Sequence, residues 1–441
     1  MEINLSRLLF AAIPVPGHFN PMLAVAEELR RRGYEIVFHS GELFRERVEA
    51  AGLRFAPFPP EADFDYRDPT QAEPSVKDVP ISERGLTFFA RLLGGRIPVM
   101  DRALRRIIEQ EKIDAILYEV LYMGAYPLLL RDEPRPAIIG CGVVAPMWLD
   151  PGASLASGFN STPGWRERNL AENQKIADRR GTAWRYIDAM LNEAGVAISG
   201  GFHDNQIYRL PDVFLQFGTE AIEFPREESH GNVVFVGPLL PRNRDGGSVA
   251  AWLETRDRSR PLIFVTQGTI ANRDLDQLLR PAMDGLAAEN VDVLVTTGNE
   301  ASAAAALSPL ANTRVESYAA YAQVLRETAV FVTNGGYTGV QHALSCGVPV
   351  VVAGLSEDKP RVGHRVEWSG VGINLRTATP TKEQVQNAVR EILQNPSYRE
   401  RAQAVQKAIL QVDTIGMIAD HVDTEIRTAE ESKLAFTNKI S

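Results

Sequence analysis

The sequence predicts an α/β protein with two domains and a ligand cleft between them. Its 441 residues exceed what one hydrophobic core usually serves. Short apolar runs typical of buried parallel strands alternate with patterns typical of amphipathic helices. This alternation runs through the chain twice, and a stretch rich in Pro, Gly and charge separates the two series. A cleft between two such domains is the expected place for a ligand.

In the first series, each strand-like run is followed by a helical pattern. The predicted strand and helix pairs are 7–13 with 21–32, 35–39 with 43–51, and 114–118 with 123–130, followed by a strand at 137–141. Such an order predicts a parallel sheet covered by helices. The segments 58–84 and 150–165 lose the pattern, and long loops in α/β domains usually form functional rims.

The segment 237–248, which reads GPLLPRNRDGGS, is the predicted linker, because it follows a strand at 233–236 and precedes a new start. The second series then contains predicted strands at 262–266, 291–297, 330–333 and 348–353, and predicted helices at 275–288, 323–328, 341–345 and 382–393. The tail past Ala402 reads as a long helix with few core residues. We therefore expect it to pack across the domain junction.

Charge and cysteine content limit the partners and the compartment. The net charge is −9 with no basic stripe, which argues against a nucleic-acid partner. Cys141 and Cys346 both lie in apolar patterns, which predicts free buried thiols and a reducing cytoplasm. The apolar run 8–15 is too short to span a membrane. We expect a cytoplasmic monomer or weak homodimer without a membrane span.

The segment 331–349, FVTNGGYTGVQHALSCGVP, is the most informative part of the chain. It reads as a buried strand, a glycine turn, a short helix and a second strand. Glycines let backbone N–H groups approach a ligand closely, and the helix start adds unpaired donors and a positive dipole end. The pattern predicts a phosphate-binding turn. The alternative is a turn that only connects a strand to a helix.

A histidine follows the first predicted strand. The turn Pro14-Val-Pro-Gly-His-Phe-Asn-Pro21 lies at the carboxyl end of that strand, with a helix predicted to start at Pro21. Such turns face the ligand crevice of open α/β sheets, so His18 is a candidate general base. Glu119 closes another strand on the same side and is its candidate carboxylate partner. The alternative is a histidine that caps the helix or is satisfied within the turn.

Three segments together carry a family resemblance: Gly17-His-Phe-Asn-Pro21, the motif 333–349, and Glu357-Asp358-Lys359. They resemble the nucleotide-sugar-dependent glycosyltransferases of small molecules, and the microbial antibiotic and macrolide branch is the most similar. The resemblance covers essentially the whole chain. It implies the GT-B fold, in which two Rossmann-like domains face each other across a cleft. It also implies inversion at the anomeric carbon, no metal, and no cofactor besides a UDP- or dTDP-linked sugar as co-substrate.

The resemblance divides the chain into an acceptor domain at 1–238, a donor domain at 239–415 and a last helix at 416–441 that crosses back to the first domain. It gives His18 the role of base and Glu119, where relatives usually have Asp, that of orienting acid. The implied donor site consists of Gly268, Thr269, Asn334, Gly335, Gly336, Thr338 and Gly339 for the diphosphate, Tyr318, Ala319 and His342 for the nucleoside, and Glu357, Asp358 and Lys359 for the sugar. Relatives commonly have His at 334, Glu at 342 and Gln at 359.

Two further sets of residues complete the prediction. Aromatic and Met side chains near the predicted strand ends would line an apolar acceptor pocket. These are Phe19, Phe88, Tyr122, Met123 and Trp148. For each of them, packing in the hydrophobic core is the alternative. Asp63-Phe-Asp65 and Asp274-Leu-Asp276 have the form that metal-dependent sugar transferases use. The first lies in a polar loop and the second near a helix start, where acids favour the dipole, so we predict no metal site.

The predicted function is an inverting glycosyltransferase that moves a sugar from a UDP- or dTDP-sugar to a hydroxyl of a hydrophobic small molecule, such as a phenolic, flavonoid or polyketide macrolide. Two alternatives remain at this point. A non-catalytic GT-B partner protein would share the fold without needing the His18 and Glu119 pair. A nucleotide-sugar epimerase would convert the donor without any acceptor.

Overall fold

The computed structural model describes residues 6–74, 81–159, 162–227, 232–240, 247–268, 274–298 and 301–440. The strands are β1 (Arg7–Ala11), β2 (Glu35–Ser40), β3 (Arg54–Pro57), β4 (Ala115–Glu119), β5 (Ala137–Gly142), β6 (Val213–Gln216), β7 (Val233–Phe235), β8 (Leu262–Thr266), β9 (Asp292–Thr296), β10 (Thr313–Glu316), β11 (Thr328–Thr333), β12 (Val350–Val352) and β13 (Gly372–Asn374). The apolar runs of the inner strands are buried almost throughout, as parallel strands covered on both faces require.

Helices connect the strands and cover both sheets. They are α1 (Pro16–Arg31), α2 (Arg45–Ala50), α3 (Pro69–Ala72), α4 (Ile81–Leu92), α5 (Ile97–Glu111), α6 (Tyr126–Leu130), α7 (Trp165–Glu193), α8 (Gln206–Arg209), α9 (Gly247–Thr255), α10 (Leu279–Leu286), α11 (Ala301–Ala305), α12 (Tyr321–Glu327), α13 (Tyr337–Ser345), α14 (Lys359–Ser369), α15 (Lys382–Gln394), α16 (Ser397–Leu410) and α17 (Thr414–Ile440).

The described strands form two sheets in which every pairing is parallel. The first has the order β3-β2-β1-β4-β5-β6-β7 and the second β10-β9-β8-β11-β12-β13. We call the parts of the chain around them the N-terminal unit and the C-terminal unit. In each sheet the strand order reverses once, between β1 and β4 and between β8 and β11. Ligands of open parallel sheets bind outside the carboxyl ends of the strands at such reversal points.

The last helix belongs to the core of the N-terminal unit, although it follows the C-terminal unit in the chain. Ile418, Ala419, Val422 and Ile426 of α17 are buried in the same cluster as the first sheet. The Tyr34 hydroxyl also donates to Asp423, at 2.7 Å. The tail thus contributes more core residues than its sequence pattern indicates.

Several buried polar contacts join the two units. Arg365 of α14 forms an ion pair with Glu223 of the N-terminal unit, with both side chains more than nine-tenths buried. Gln341 of α13 donates to the carbonyl of Phe217 at 3.0 Å. Because these bonds have no water to replace them, they hold the units in one mutual arrangement.

The structure differs from the sequence-based expectation at the start of α1. The helix begins at Pro16, not at Pro21, so His18 lies in its first turn. Pro16 suits the first helical position, where its missing N–H costs nothing. Pro21 lies inside the helix, where it leaves the carbonyl of Gly17 without its helical donor, and the exposure of Gly17 allows water to take that place.

Other differences concern helices that the sequence analysis did not identify. The expected irregular stretch 58–84 contains α3 and the beginning of α4, and the long helices α5 and α7 were not predicted. In α7 only seven of 29 residues are buried, so a narrow apolar stripe lies within a mostly polar sequence.

Candidate active site

The structure brings His18 and Glu119 together at the reversal point of the first sheet. Glu119 ends β4 and is fully buried, and its Oε2 lies 2.6 Å from Nδ1 of His18. The carboxylate also accepts backbone N–H bonds from Ile13 at 3.3 Å and from Leu121 at 2.9 Å. A carboxylate held in this way fixes the imidazole with its proton on Nδ1, which leaves Nε2 as the basic atom.

The charges around His18 favour its protonated form. Burial lowers its pKa, but the charge and hydrogen bond of Glu119, together with the charges of Asp358 and Glu357, raise it above 6.5 overall. Asp358 and Glu357 belong to the C-terminal unit. The imidazole therefore lies between a carboxylate of its own unit and carboxylates from across the cleft, which would stabilise an imidazolium.

Asp358 lies at the boundary of the two units, immediately before α14. Its Oδ2 accepts a hydrogen bond at 3.3 Å from the backbone N–H of Ala145, in the segment after β5. The adjacent Lys359 is buried, and its ammonium donates to Ser356 and Glu357. Glu357 itself is exposed and has a φ of 57°. Of these three residues predicted to contact the sugar, Asp358 and Glu357 are thus within electrostatic reach of His18.

Two glycine turns meet at the reversal point of the second sheet. Gly268 follows β8 with a φ of 77°, and Gly335 follows β11 with a φ of 91°, values that favour glycine. The side chain of Asn334 joins the turns, because its amide donates to the carbonyl of Gln267 and lies within 4 Å of the Cβ position of Gly268. Thr269, also predicted at the diphosphate, lies outside the described residues.

The helix α13 begins directly after these turns. Its first residues are Tyr337, Thr338 and Gly339, whose N–H groups have no partner within the helix. Gly336 precedes it in an extended conformation, and a Cβ built at this position would have no heavy atom within 4 Å. The open space beside Gly336 and the positive end of the helix dipole together form a place where an anion can approach the backbone.

The residues predicted to bind the nucleoside are not equally accessible. Tyr318 is 42% exposed, as a stacking ring requires, while Ala319 is buried. His342 lies on α13 with its Nε2 at 3.0 Å from the carbonyl of Leu239. Burial lowers the pKa of His342 to about 4, so the ring is neutral. Its visible role is to hold the segment that leads from one unit to the other, and the ribose contact stays a prediction.

Four of the residues predicted to line an acceptor pocket are packed in the core of the N-terminal unit: Phe19, Tyr122, Met123 and Trp148. Phe19 stacks on Phe44 with ring centroids 4.1 Å apart, and the guanidinium of Arg226 covers Trp148 at 3.5 Å. The side chain of Phe88 lies outside the described residues. The pocket-lining role of these residues stays a prediction.

The Asp-x-Asp segments have local partners. Asp63 accepts the backbone N–H groups of Glu42 and Phe64, and Asp65 pairs with Arg67. Asp276 pairs with Arg280 on the first turn of α10. Within the described ranges, no three His, Cys, Asp or Glu side chains gather as metal ligands would. In the same part of the chain, no helix combines the length and the apolar character that crossing a membrane requires.

The sequence analysis missed the residues that align the two halves of the site. Glu223 and Arg365 are 142 positions apart, and Ala145 meets Asp358 across 213 positions. No periodic pattern in the sequence predicts such pairs.

Comparison with solved structures identifies the class of this fold. The calicheamicin glycosyltransferase CalG4 matches with a TM-score of 0.73 at 20% identity, over 96% of this chain and 99% of that one. The glycosyltransferase of kitacinnamycin matches with a TM-score of 0.71 at 22% identity, over 96% and 99%. Two parallel α/β units of this kind define the GT-B fold.

Sequence comparison identifies the family. 4'-Demethylrebeccamycin synthase of Lentzea aerocolonigenes is 33% identical over 415 residues, which cover 90% of this chain and 94% of that protein. UDP-glucosyltransferase 1 of Beauveria bassiana is 31% identical, over 91% of each chain. Residues 280–422 match the family model described as the C-terminal domain of erythromycin biosynthesis protein CIII-like proteins. The chain therefore belongs to the UDP-glycosyltransferase family and is a glycosyltransferase.

Proposed function

We propose that this glycosyltransferase inverts the anomeric carbon as it moves a sugar from a UDP- or dTDP-sugar to a hydroxyl of a hydrophobic small molecule, with His18 as general base. The observation that carries the proposal is the contact of His18 with the buried Glu119 at the reversal point of the first sheet, with Asp358 of the other unit near enough to raise the pKa of His18.

In this mechanism, Nε2 of His18 takes the proton of the acceptor hydroxyl as its oxygen attacks the anomeric carbon. Glu119 keeps the imidazole oriented and stabilises the imidazolium that forms. The bond to the nucleotide diphosphate breaks on the opposite side of the carbon. Backbone N–H groups at the start of α13 would stabilise the charge that gathers on the departing diphosphate, since those of Gly268 and Gly335 donate to the hydroxyls of Thr266 and Thr333.

The names of several relatives support a UDP-linked donor. The 31% identical protein of Beauveria bassiana and a 30% identical protein of Starmerella bombicola are both named UDP-glucosyltransferases.

The direct test incubates the purified protein with UDP-glucose or a dTDP-sugar and a panel of phenolic, flavonoid and macrolide alcohols, and detects products by mass spectrometry. Transfer that depends on both substrates supports the proposal. Conversion of the donor to an isomer without an alcohol would identify an epimerase. Absence of both reactions across the panel would favour a non-catalytic partner of another transferase.

We expect replacement of Asp358 to weaken recognition of the sugar and not of the nucleotide. Removing a charged hydrogen-bonding partner typically costs about 1.5–3 kcal/mol. Asp358→Ala should therefore weaken binding of the complete donor roughly 10- to 150-fold, while calorimetry finds free UDP or dTDP bound as before. Asp358→Asn is the matched control for the contact between the units, because its amide oxygen can still accept from Ala145. Equal losses for donor and free nucleotide would contradict this placement.

We also expect activity to survive excess EDTA. The proposed neutralisation of the diphosphate rests on backbone donors and a helix dipole, which chelation leaves unchanged. Initial rates are measured before and after dialysis against the chelator. Complete loss of turnover that Mg²⁺ or Mn²⁺ restores would instead assign a metal to the reaction.

A further inference from the structure

An arginine cluster lies between the two units, near Asp358, whose charge acts on both Arg361 and His18. The segment after β5, the segment near Arg226, and α14 enclose a narrow cleft. It is lined among others by Pro146, Trp148 and Ser154 of the N-terminal unit and by Arg361 and Arg365 of the C-terminal unit.

The arginines of this cluster differ in the number of their hydrogen-bond partners. Glu223 serves two of them, because its Oε2 lies 2.7 Å from Nη2 of Arg226 and its two oxygens lie 2.7 and 2.9 Å from Arg365. Arg365 also donates to the carbonyl of Pro146 at 3.3 Å. Arg361, by contrast, donates no side-chain hydrogen bond to any described residue, and its Nε is enclosed without a partner.

No neighbouring acid among the described residues forms an ion pair with Arg361. Asp204 pairs with Arg180, and Asp150 accepts the backbone N–H groups of Gly152 and Glu227. Burial lowers the pKa of Arg361, and Asp358 is the carboxylate that acts against this. Asp358 is already bonded to Ala145 and is the residue that we propose for the sugar.

A guanidinium whose Nε is enclosed without a bonded partner carries a desolvation cost, and proteins normally pair such groups. Arg226, Arg361 and Arg365 carry three positive charges, and among the described residues Glu223 is the one acid bonded to them. A ligand anion would supply both the missing charge and the missing hydrogen bonds.

We propose that Arg361 binds a carboxylate of the acceptor, so that the acceptors are hydroxy acids. This inference rests on the proposed function, because it places the acceptor between the units. The acceptor is favoured over the donor as the source of the carboxylate, since Pro146, Trp148 and Ser154 line the cleft from the N-terminal unit. The free space is about 10 Å³, close to the least that holds one water molecule. A carboxylate is larger than this space, so its binding requires the Arg361 side chain to move.

The experiment uses ω-hydroxy acids of increasing chain length and their methyl esters. The distance between the reacting hydroxyl and Arg361 is unknown, so the series covers a range of chain lengths. Calorimetry measures binding of each compound to the wild type and to Arg361→Gln and Arg361→Lys in the presence of UDP, and mass spectrometry measures transfer from UDP-glucose. Arg258→Gln is the control, because Arg258 is 66% exposed at its side chain and faces Glu327 in the C-terminal unit.

At the favoured chain length, the wild type and the Arg258→Gln control should bind the acid roughly 10- to 100-fold more tightly than its ester, which is the usual worth of hydrogen bonds to a charged group. Arg361→Gln should bring this ratio to about one, and Arg361→Lys should give an intermediate ratio, because lysine keeps the charge without the planar fork.

The inference is overturned if acids and esters bind the wild type equally at every length, or if Arg361→Gln weakens both alike. It is also overturned if Arg361→Gln loses binding of UDP-glucuronate, and not of the hydroxy acids, because the carboxylate then belongs to the donor sugar. Preferential binding of an acid without transfer to any alcohol would support the Arg361 site and contradict the proposed function, so the two failures are distinguishable.

Discussion

Replacement of His18 by alanine should lower turnover roughly 10²–10⁴-fold, the usual contribution of a positioned general base. Affinity for the nucleotide sugar should change little, because the donor turns lie on the other unit. Rates with an unactivated alcohol and calorimetry with free UDP measure the two effects separately. A variant that keeps more than half of the wild-type turnover would rule out His18 as the base.

A matched control exists for this substitution. His421 lies on α17 in the stretch that contacts the end of α1 remote from His18, where Tyr34 bonds Asp423. His421→Ala should retain full activity. Thermal melting of both variants separates loss of a base from loss of folded protein.

The pH dependence provides a second readout of the same pair. The base must be neutral, and Glu119, Asp358 and Glu357 raise the pKa of His18. The rate should therefore fall as the pH drops below a pKa higher than 6.5. Glu119→Gln removes the largest of the raising charges, so the acid limb of the profile should move to lower pH while the maximal rate also falls. An unmoved limb would mean that another group titrates.

The parallel α/β architecture could be predicted because its signals are local. Apolar runs such as 262–266 coincide with an observed strand, and the rule that parallel strands end at the same edge predicted that His18 and Glu119 face the same crevice. They lie in contact although 101 positions separate them. The glycine turn at 335 could be predicted for the same reason, since a positive φ has a sequence signature.

The rest depends on how the two units meet, which no local pattern encodes. The bond from Gln341 to Phe217, the bond from His342 to Leu239 and the uncompensated charge of Arg361 exist only in the assembled cleft. The start of α1 was misjudged because Pro21 looks like a first helical residue, and the tertiary structure tolerates it within the helix instead.

Gly336→Val should weaken binding of the complete donor and of free nucleotide roughly 10- to 100-fold each, by the loss of charge-assisted bonds to the diphosphate. The reason lies in the space beside this glycine. A Cβ built at position 336 has no heavy atom within 4 Å, so a side chain there would extend into the place where we propose the diphosphate approaches the backbone.

Loss of binding can be separated from loss of folding in this variant, because the folded protein should tolerate the substitution. Gly336 has a φ of −61° and a ψ of 132°, a conformation that valine readily adopts. The unliganded melting temperature should therefore stay close to that of the wild type. Gly354→Ala is the opposite control, since its Cβ would clash with the carbonyl oxygen of Asn334 and should destabilise the fold itself.

Calorimetry with UDP and UDP-glucose, together with melting curves without ligand, measures both properties. Weaker binding at an unchanged melting temperature would show that the substitution affects the ligand site and not the fold. Gly336→Ala should give a smaller loss in the same direction, as expected for a shorter obstruction. Unchanged nucleotide affinity in Gly336→Val would place the diphosphate away from the start of α13 and leave Gly335 and Gly336 with only a connecting role.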